Sequence, residues 1–205
     1  MPGLDLAADL TALAARDPDV AREITRVGMP PSRARPPGFA TLLRIIIGQQ
    51  VSTSSAAAMW TKLEAGHGGR VDPAAILDCS PDALRGFGFS RQKAAYALGL
   101  ARDCHHGSLD LAKLARASDE DAAAELIKVK GIGIWTAEIY LLFALRRADV
   151  FPAGDLALQV GFQRLKRRRS RPTPEQLRKL VAPWRPYRGA AAHLLWHSYA
   201  NPPLR

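Results

Sequence analysis

The chain is poor in cysteine, in long apolar runs and in alternating β-branched residues, and its acidic residues thin out towards the C-terminus. Its two cysteines, Cys79 and Cys104, are too few for an iron–sulfur cluster or a four-cysteine zinc site. They read as buried thiols, with no disulfide expected in a reducing compartment. No apolar run approaches the roughly 18 residues of a membrane span. The opening Met-Pro-Gly-Leu-Asp-Leu-Ala-Ala-Asp-Leu10 lacks the basic segment and apolar core of a signal peptide. A cytoplasmic protein without membrane contact is therefore expected. The near absence of alternating β-branched segments argues against strands and for an all-α fold.

The scarcity of acid is local. Residues 1–143 carry 16 basic and 16 acidic side chains, whereas residues 144–205 carry 13 and 3, so the whole net charge of +10 lies in the last 62 residues. A basic face of this kind favours a polyanionic partner such as nucleic acid. The alternative is a solvated surface in an arginine-rich protein.

What is abundant is helix punctuation. Asp72-Pro73 and Ser80-Pro81 each set a cap before a proline in the first helical position. Ser90 precedes a helical run. Ser118-Asp-Glu-Asp121 and Thr173-Pro-Glu-Gln176 have capping-box spacing. Pro183 is expected to start or kink a last helix near Trp184 to Ala200. Pro30-Pro-Ser-Arg-Ala-Arg-Pro-Pro37 reads as a stiff linker. It divides residues 1–37, an N-terminal helical segment with its linker, from a core of residues 38–205. Two helical lobes with the site in a cleft between them are expected.

The chemistry concentrates in Val129-Lys-Gly-Ile-Gly-Ile-Trp-Thr-Ala-Glu138 and in Asp155, twenty residues after Trp135. The first is a tight Gly-Ile-Gly turn between helices, whose bare amides at a helix start suit a phosphate. No strand precedes Gly131 and Gly133 and the third glycine is missing, so this is no dinucleotide site. Asp155, in Phe151-Pro-Ala-Gly-Asp-Leu-Ala-Leu158, is either a functional carboxylate or a helix cap. Arg85-Gly-Phe-Gly-Phe-Ser90 echoes the Gly-Ile-Gly turn at a spacing of 45, as a second such turn or as a simple helix connector. His105, His106, His193 and His197 show no metal pattern.

From about residue 38 to residue 200 the chain resembles the helix-hairpin-helix DNA glycosylases, most closely their alkylated-base branch. The resemblance rests on the hairpin and on Phe-Pro-Ala-Gly-Asp155. It rests also on Leu43-Arg-Ile-Ile-Ile-Gly-Gln-Gln-Val-Ser52, Leu84-Arg-Gly-Phe-Gly-Phe-Ser-Arg-Gln-Lys-Ala94 and Trp184-Arg-Pro-Tyr-Arg-Gly-Ala-Ala-Ala-His-Leu-Leu-Trp196. It implies a two-lobed helical fold, double-stranded DNA as partner, and excision of a flipped-out base in base excision repair by a cytoplasmic, nucleoid-associated monomer.

Within that resemblance Asp155 is the catalytic residue, and Trp135 and Trp196 are the base pocket, with plain core packing as their alternative. Gly131, Gly133 and Thr136 are DNA contacts. Independently of the resemblance, Arg164, Lys166, Arg167, Arg168 and Arg169 form a basic run after the Asp155 helix, read as contact with the DNA backbone, through Arg167 and Arg168 in particular, or as a solvated loop. Gln50 is the plug that fills the vacated stack, with Gln49 as its rival and a polar helix-break residue as the alternative. Relatives that also cut the strand carry a lysine two residues after the second hairpin glycine. Trp135 stands there, so no Schiff base can form at that position and a monofunctional enzyme acting on alkylated purines is expected. A glycosylase for oxidised or deaminated bases and a non-catalytic DNA-binding module remain alternatives. No cofactor is expected beyond a Na+ or K+ ion held by the backbone carbonyls of Ile127, Val129 and Ile132. Trp60 and Trp184 read as structural.

Overall fold

A computed structural model describes residues 3–202. Those residues form thirteen α-helices and one 3₁₀ turn, with no strand among them beyond an isolated bridge between Gly3 and Arg147. The chain divides into two compact units, Met1–Ala34 with Leu141–Arg205, and Arg35–Tyr140. The linker expected at residues 30–37 has no regular secondary structure, and its residues 31–37 are exposed. The seam falls inside it, between Ala34 and Arg35. The N-terminal segment does not stand apart from the core. It packs with the C-terminal helices.

In the first unit, α1 (Leu6–Ala14), α2 (Pro18–Val27), α11 (Leu156–Leu165) and α12 (Pro174–Leu180) accompany α13 (Arg188–Ala200). Nearly every residue of α13 from Gly189 to Trp196 is buried, as befits a helix covered on all sides. α11 crosses it closely. A Cβ on Gly161 would stand 3.0 Å from the Leu195 carbonyl oxygen, so a side chain there would press the two helices apart by a few tenths of an ångström. The last helix begins later than Pro183 suggests. Pro183 lies in the 3₁₀ turn Ala182–Trp184, a cis Arg185–Pro186 peptide follows, and α13 starts at Arg188. A proline cannot donate to a helical ladder, and the two prolines together postpone the helix.

In the second unit, α3 (Phe39–Ile47), α5 (Pro73–Leu77) and α6 (Pro81–Gly86) pack on α7 (Arg91–His105), α4 (Thr53–Gly66) packs on α3, and α8 (Leu111–Leu114) meets α9 (Asp119–Ile127). α10 (Ile134–Phe143) follows the hairpin. The core here is aliphatic, with Leu42, Ile46, Leu63, Ile76, Leu84 and Leu126 fully buried. Trp60 is buried beside Arg44, whose Cζ stands 5.0 Å from its ring.

The expected caps are present. Asp72, Ser80, Ser90 and Ser118 each accept the backbone N–H three residues on, and Thr173 with Gln176 closes a reciprocal box. Ser118 differs, because the shorter Asp121 carboxylate is met by the Ser118 hydroxyl at 2.8 Å. The sequence echo is a helix connector of another geometry. Gly88, the second glycine of its pair, has positive φ (+99°), whereas in the hairpin it is the first, Gly131 (+96°). The two cysteines are free and half-buried, less enclosed than expected. Burial pushes the Cys104 thiol up to about 11.

Candidate active site

Asp155 is fixed by the backbone that follows it. It is the N-cap of α11, with extended φ/ψ of −73° and 124°. Its Oδ1 accepts the N–H groups of Ala157 at 2.9 Å and Leu158 at 3.1 Å. The approach turn is equally tied. The Asp155 N–H donates to the Pro152 carbonyl at 2.9 Å, and the buried Gln159 amide donates to the Ala153 carbonyl at 3.0 Å. The cap and the functional reading therefore coexist, since capping holds the carboxylate at the positive end of a helix in one rotamer.

Trp196 joins Asp155. Its indole N–H donates to the same Oδ1 at 3.2 Å. The ring is 8% exposed and meets Phe143 and His193 edge-on, with centroids 5.4 and 5.9 Å apart. Above it lies Arg33, its Cζ 5.4 Å from the ring centroid. His193 is buried and pairs through Nδ1 with the Gly189 carbonyl at 2.9 Å. Burial is the main cause holding its imidazole below the usual pKa. His197 pairs with the Val27 carbonyl. Among the described residues no cluster of His, Cys, Asp and Glu could hold a metal.

The hairpin lies in the other unit. Gly131 is required twice over: its φ is positive, and a Cβ there would stand 2.4 Å from Cγ of Tyr96. A Cβ on Gly133 would touch nothing within 4 Å, and Gly133 and Ile134 are exposed. Ile132 donates to the Val129 carbonyl at 3.0 Å, and the Gly133 carbonyl receives the Ala137 N–H at 3.0 Å, opening α10. Trp135 is half-buried on its first turn. Thr136 is 2% exposed, and its hydroxyl accepts the Gln49 amide at 2.9 Å. That hydroxyl is turned inward, so a phosphate could use only the backbone here.

The Gln49–Gln50 pair separates clearly. Gln49 is committed inward, its amide reaching both Thr136 and the Gly131 carbonyl at 2.9 Å. Gln50 is exposed in the left-handed region at φ +55°. Lys93 braces the same turn by donating to the Ile47 carbonyl at 2.6 Å. Sequence reading did not find Tyr96, Lys93 or Arg33. Lys93 lies within the segment Leu84–Ala94 and Arg33 within the linker, but only packing reveals what each of the three touches. Of the basic run, Lys166 is spent internally on Asp17 and Asp19, while Arg167, Arg168 and Arg169 are exposed.

A profile of the HhH-GPD superfamily of base excision DNA repair proteins matches residues 43–186. The chain belongs to this superfamily. The match includes the hairpin, Asp155 and the Gln49–Gln50 turn. A DNA-3-methyladenine glycosylase of Schizosaccharomyces pombe is 32% identical over 161 residues, 77% of this chain and 71% of that protein. A putative DNA-3-methyladenine glycosylase of Bacillus subtilis is 31% identical over 167 residues, and the match spans 78% of this chain but only 58% of the relative. The fold is similar to that of the S. pombe 3-methyladenine DNA glycosylase solved in complex with abasic DNA. The TM-score is 0.87 at 29% identity, with 94% of this chain and 97% of that one covered. The described residues are all-helical, as the scarcity of strand patterning led one to expect. No helix among the described residues is long and apolar enough to cross a membrane.

Proposed function

We propose that the chain is a monofunctional DNA glycosylase of base excision repair that hydrolyses alkylated purines such as 3-methyladenine and 7-methylguanine from double-stranded DNA. The observation that carries the reading is the Asp155 carboxylate, held by two backbone amides and an indole N–H converging on one oxygen. The activities for which the similar proteins are named support it.

The damaged base must leave the stack before its bond is reachable. Gln50, exposed on a strained turn braced through Gln49 and Lys93, is suited to fill the gap. The open backbone at Gly133 and the start of α10 suit a phosphate. Trp135 and Trp196 supply aromatic surface for the base, and Arg167 and Arg168 further phosphate contacts. As the glycosidic bond breaks, positive charge grows on the sugar, and a prepositioned carboxylate stabilises it without reorganising. Water then attacks the sugar carbon. An alkylated purine already carries positive charge, so one carboxylate suffices where sugar hydrolases use two. The backbone oxygens of Ile127, Val129 and Ile132 are neutral hard donors of the kind that suits Na+ or K+, and such an ion would add positive charge at the phosphate-facing turn.

The test is base release from duplexes carrying 3-methyladenine, 7-methylguanine, hypoxanthine or 8-oxoguanine. Asp155→Asn should keep DNA binding and lose roughly 10²-fold or more in release. Borohydride should trap no covalent adduct with the wild-type protein, because Trp135 stands in the lyase lysine's place. Near-normal turnover of Asp155→Asn would remove the catalytic assignment, and a trapped adduct would remove the monofunctional one.

A further inference from the structure

The aromatic face expected to receive a cationic base already holds a cation. Arg33 comes from the exposed linker between α2 and α3, where prolines on both sides limit the backbone and the Ser32 hydroxyl receives the Ala34 N–H at 3.2 Å. Its guanidinium is carried to 5.4 Å from the centre of Trp196, the same indole that donates to Asp155. Trp196 has little other surface to offer, since it is 8% exposed and meets Phe143 and His193 in T-shaped contacts. The neighbouring His193 feels the charge as well: burial is the larger influence lowering its pKa, and Arg33 adds to it.

We propose that Arg33 tempers the charge preference of the site, weakening its hold on cationic purines relative to uncharged damaged ones. This deepens the glycosylase reading and rests on it. The sign does not depend on which face of Trp196 the base takes. On the same face, guanidinium and base compete for one ring. On the opposite face, two cations confront each other across an indole whose attraction for cations is already in use.

The leaving group gives the opposite sign for the other substrate class. In both cases water adds its oxygen to the sugar carbon, and the base departs with the electron pair of the broken C–N bond. An uncharged purine thereby becomes anionic and takes up the proton released by water. A cationic purine leaves neutral, and that proton goes to solvent. Relative to free DNA, a guanidinium beside the base stabilises the first transition state, in which the base gains negative charge, and disfavours the second, whose base still carries part of its positive charge.

The experiment is single-turnover release of 7-methylguanine and of hypoxanthine from duplexes of identical flanking sequence by wild type, Arg33→Gln and Arg33→Lys, with the enzyme below saturation so that each rate is referred to free DNA. Arg33→Gln should raise the ratio of the 7-methylguanine rate to the hypoxanthine rate about tenfold. Arg33→Lys, which keeps the charge, should hold the ratio within about twofold of wild type, and affinity for undamaged duplex should not change. Equal changes on both lesions, with or without weaker binding of undamaged DNA, would make Arg33 a phosphate contact or a packing residue and overturn the proposal. Release by wild type with an unmoved ratio in Arg33→Gln overturns Arg33's role alone. No release of either base by wild type overturns the glycosylase reading and this inference with it.

Discussion

The two hairpin glycines do different work. Gly131 is a structural necessity, because its φ of +96° and the Tyr96 ring behind it both exclude a side chain. Gly133 is not, because a Cβ there would meet open space. Strain in the left-handed region and overpacking each cost about 1–3 kcal/mol. Gly131→Ala should therefore lower the stability to urea by at least about 2 kcal/mol. Gly133→Ala, at the start of α10, should cost below about 1 kcal/mol yet weaken DNA binding by keeping a phosphate from the bare backbone. Urea unfolding and duplex titrations of the two variants separate the roles. Equal stability losses, or unchanged DNA affinity for Gly133→Ala, would show that the second glycine is no phosphate contact. The motif spacing made both glycines visible in the sequence. It could not rank them, since the Tyr96 ring arrives from α7, thirty-five residues earlier.

At the scale of elements, what was legible is what is local. The caps at Asp72, Ser80, Ser90 and Thr173 lie within three residues of the N–H groups they accept, so sequence spacing sufficed. Asp155 was legible both as cap and as candidate carboxylate for the same reason. The start of α13 was not, because it depends on two prolines and on where Gly189 docks, with its N–H 2.8 Å from the Ala148 carbonyl. Asp17 shows how much an apparently simple cap can hide. It caps α2 through the Asp19 and Val20 amides, yet it also binds Lys166 at the end of α11 and the Trp184 indole at 2.7 Å. Burial alone would raise its pKa, but the Lys166 ammonium and the Trp184 N–H outweigh it and leave it lowered. Lys166 is raised in turn, burial being overcome by its two aspartates. A carboxyl depressed in the folded state contributes stability that is full above its unfolded pKa, about 4, and is lost as pH falls below that through the folded value. Asp17→Asn should lower stability at pH 7 by about 1–3 kcal/mol and flatten the decline of stability below about pH 4. An unchanged acid limb in denaturant titrations would mean that Asp17 does not link those three elements.

For the molecule as a whole, the decisive quantity is where the charge excess sits. The unit that contains Asp155, residues 1–34 with 141–205, has 17 basic and 8 acidic side chains. Residues 35–140, which contain the hairpin, have 12 and 11. The hairpin unit is thus close to neutral, and its grip on a phosphate would come from backbone dipoles. The salt-sensitive part of binding belongs to the other unit. Not all of its cations are available, since Lys166 is held by Asp17 and Asp19, and Arg188 by Asp149. Arg167, Arg168 and Arg169 are exposed just past α11, the helix that Asp155 caps. Each phosphate contact releases counterions and adds about 0.9 to the steepness of log affinity against log salt. Replacing the three arginines by glutamine should therefore reduce that slope by up to about 3, with affinities converging on wild type as salt rises. Gly133→Ala, by contrast, should weaken binding without altering the slope, because a neutral amide, unlike a lysine or arginine, does not displace the cations condensed on a phosphate. Duplex titrations from low to moderate salt distinguish the two. A slope unmoved by loss of all three arginines would return that run to a solvated loop and leave the charge excess to be read elsewhere on the same unit.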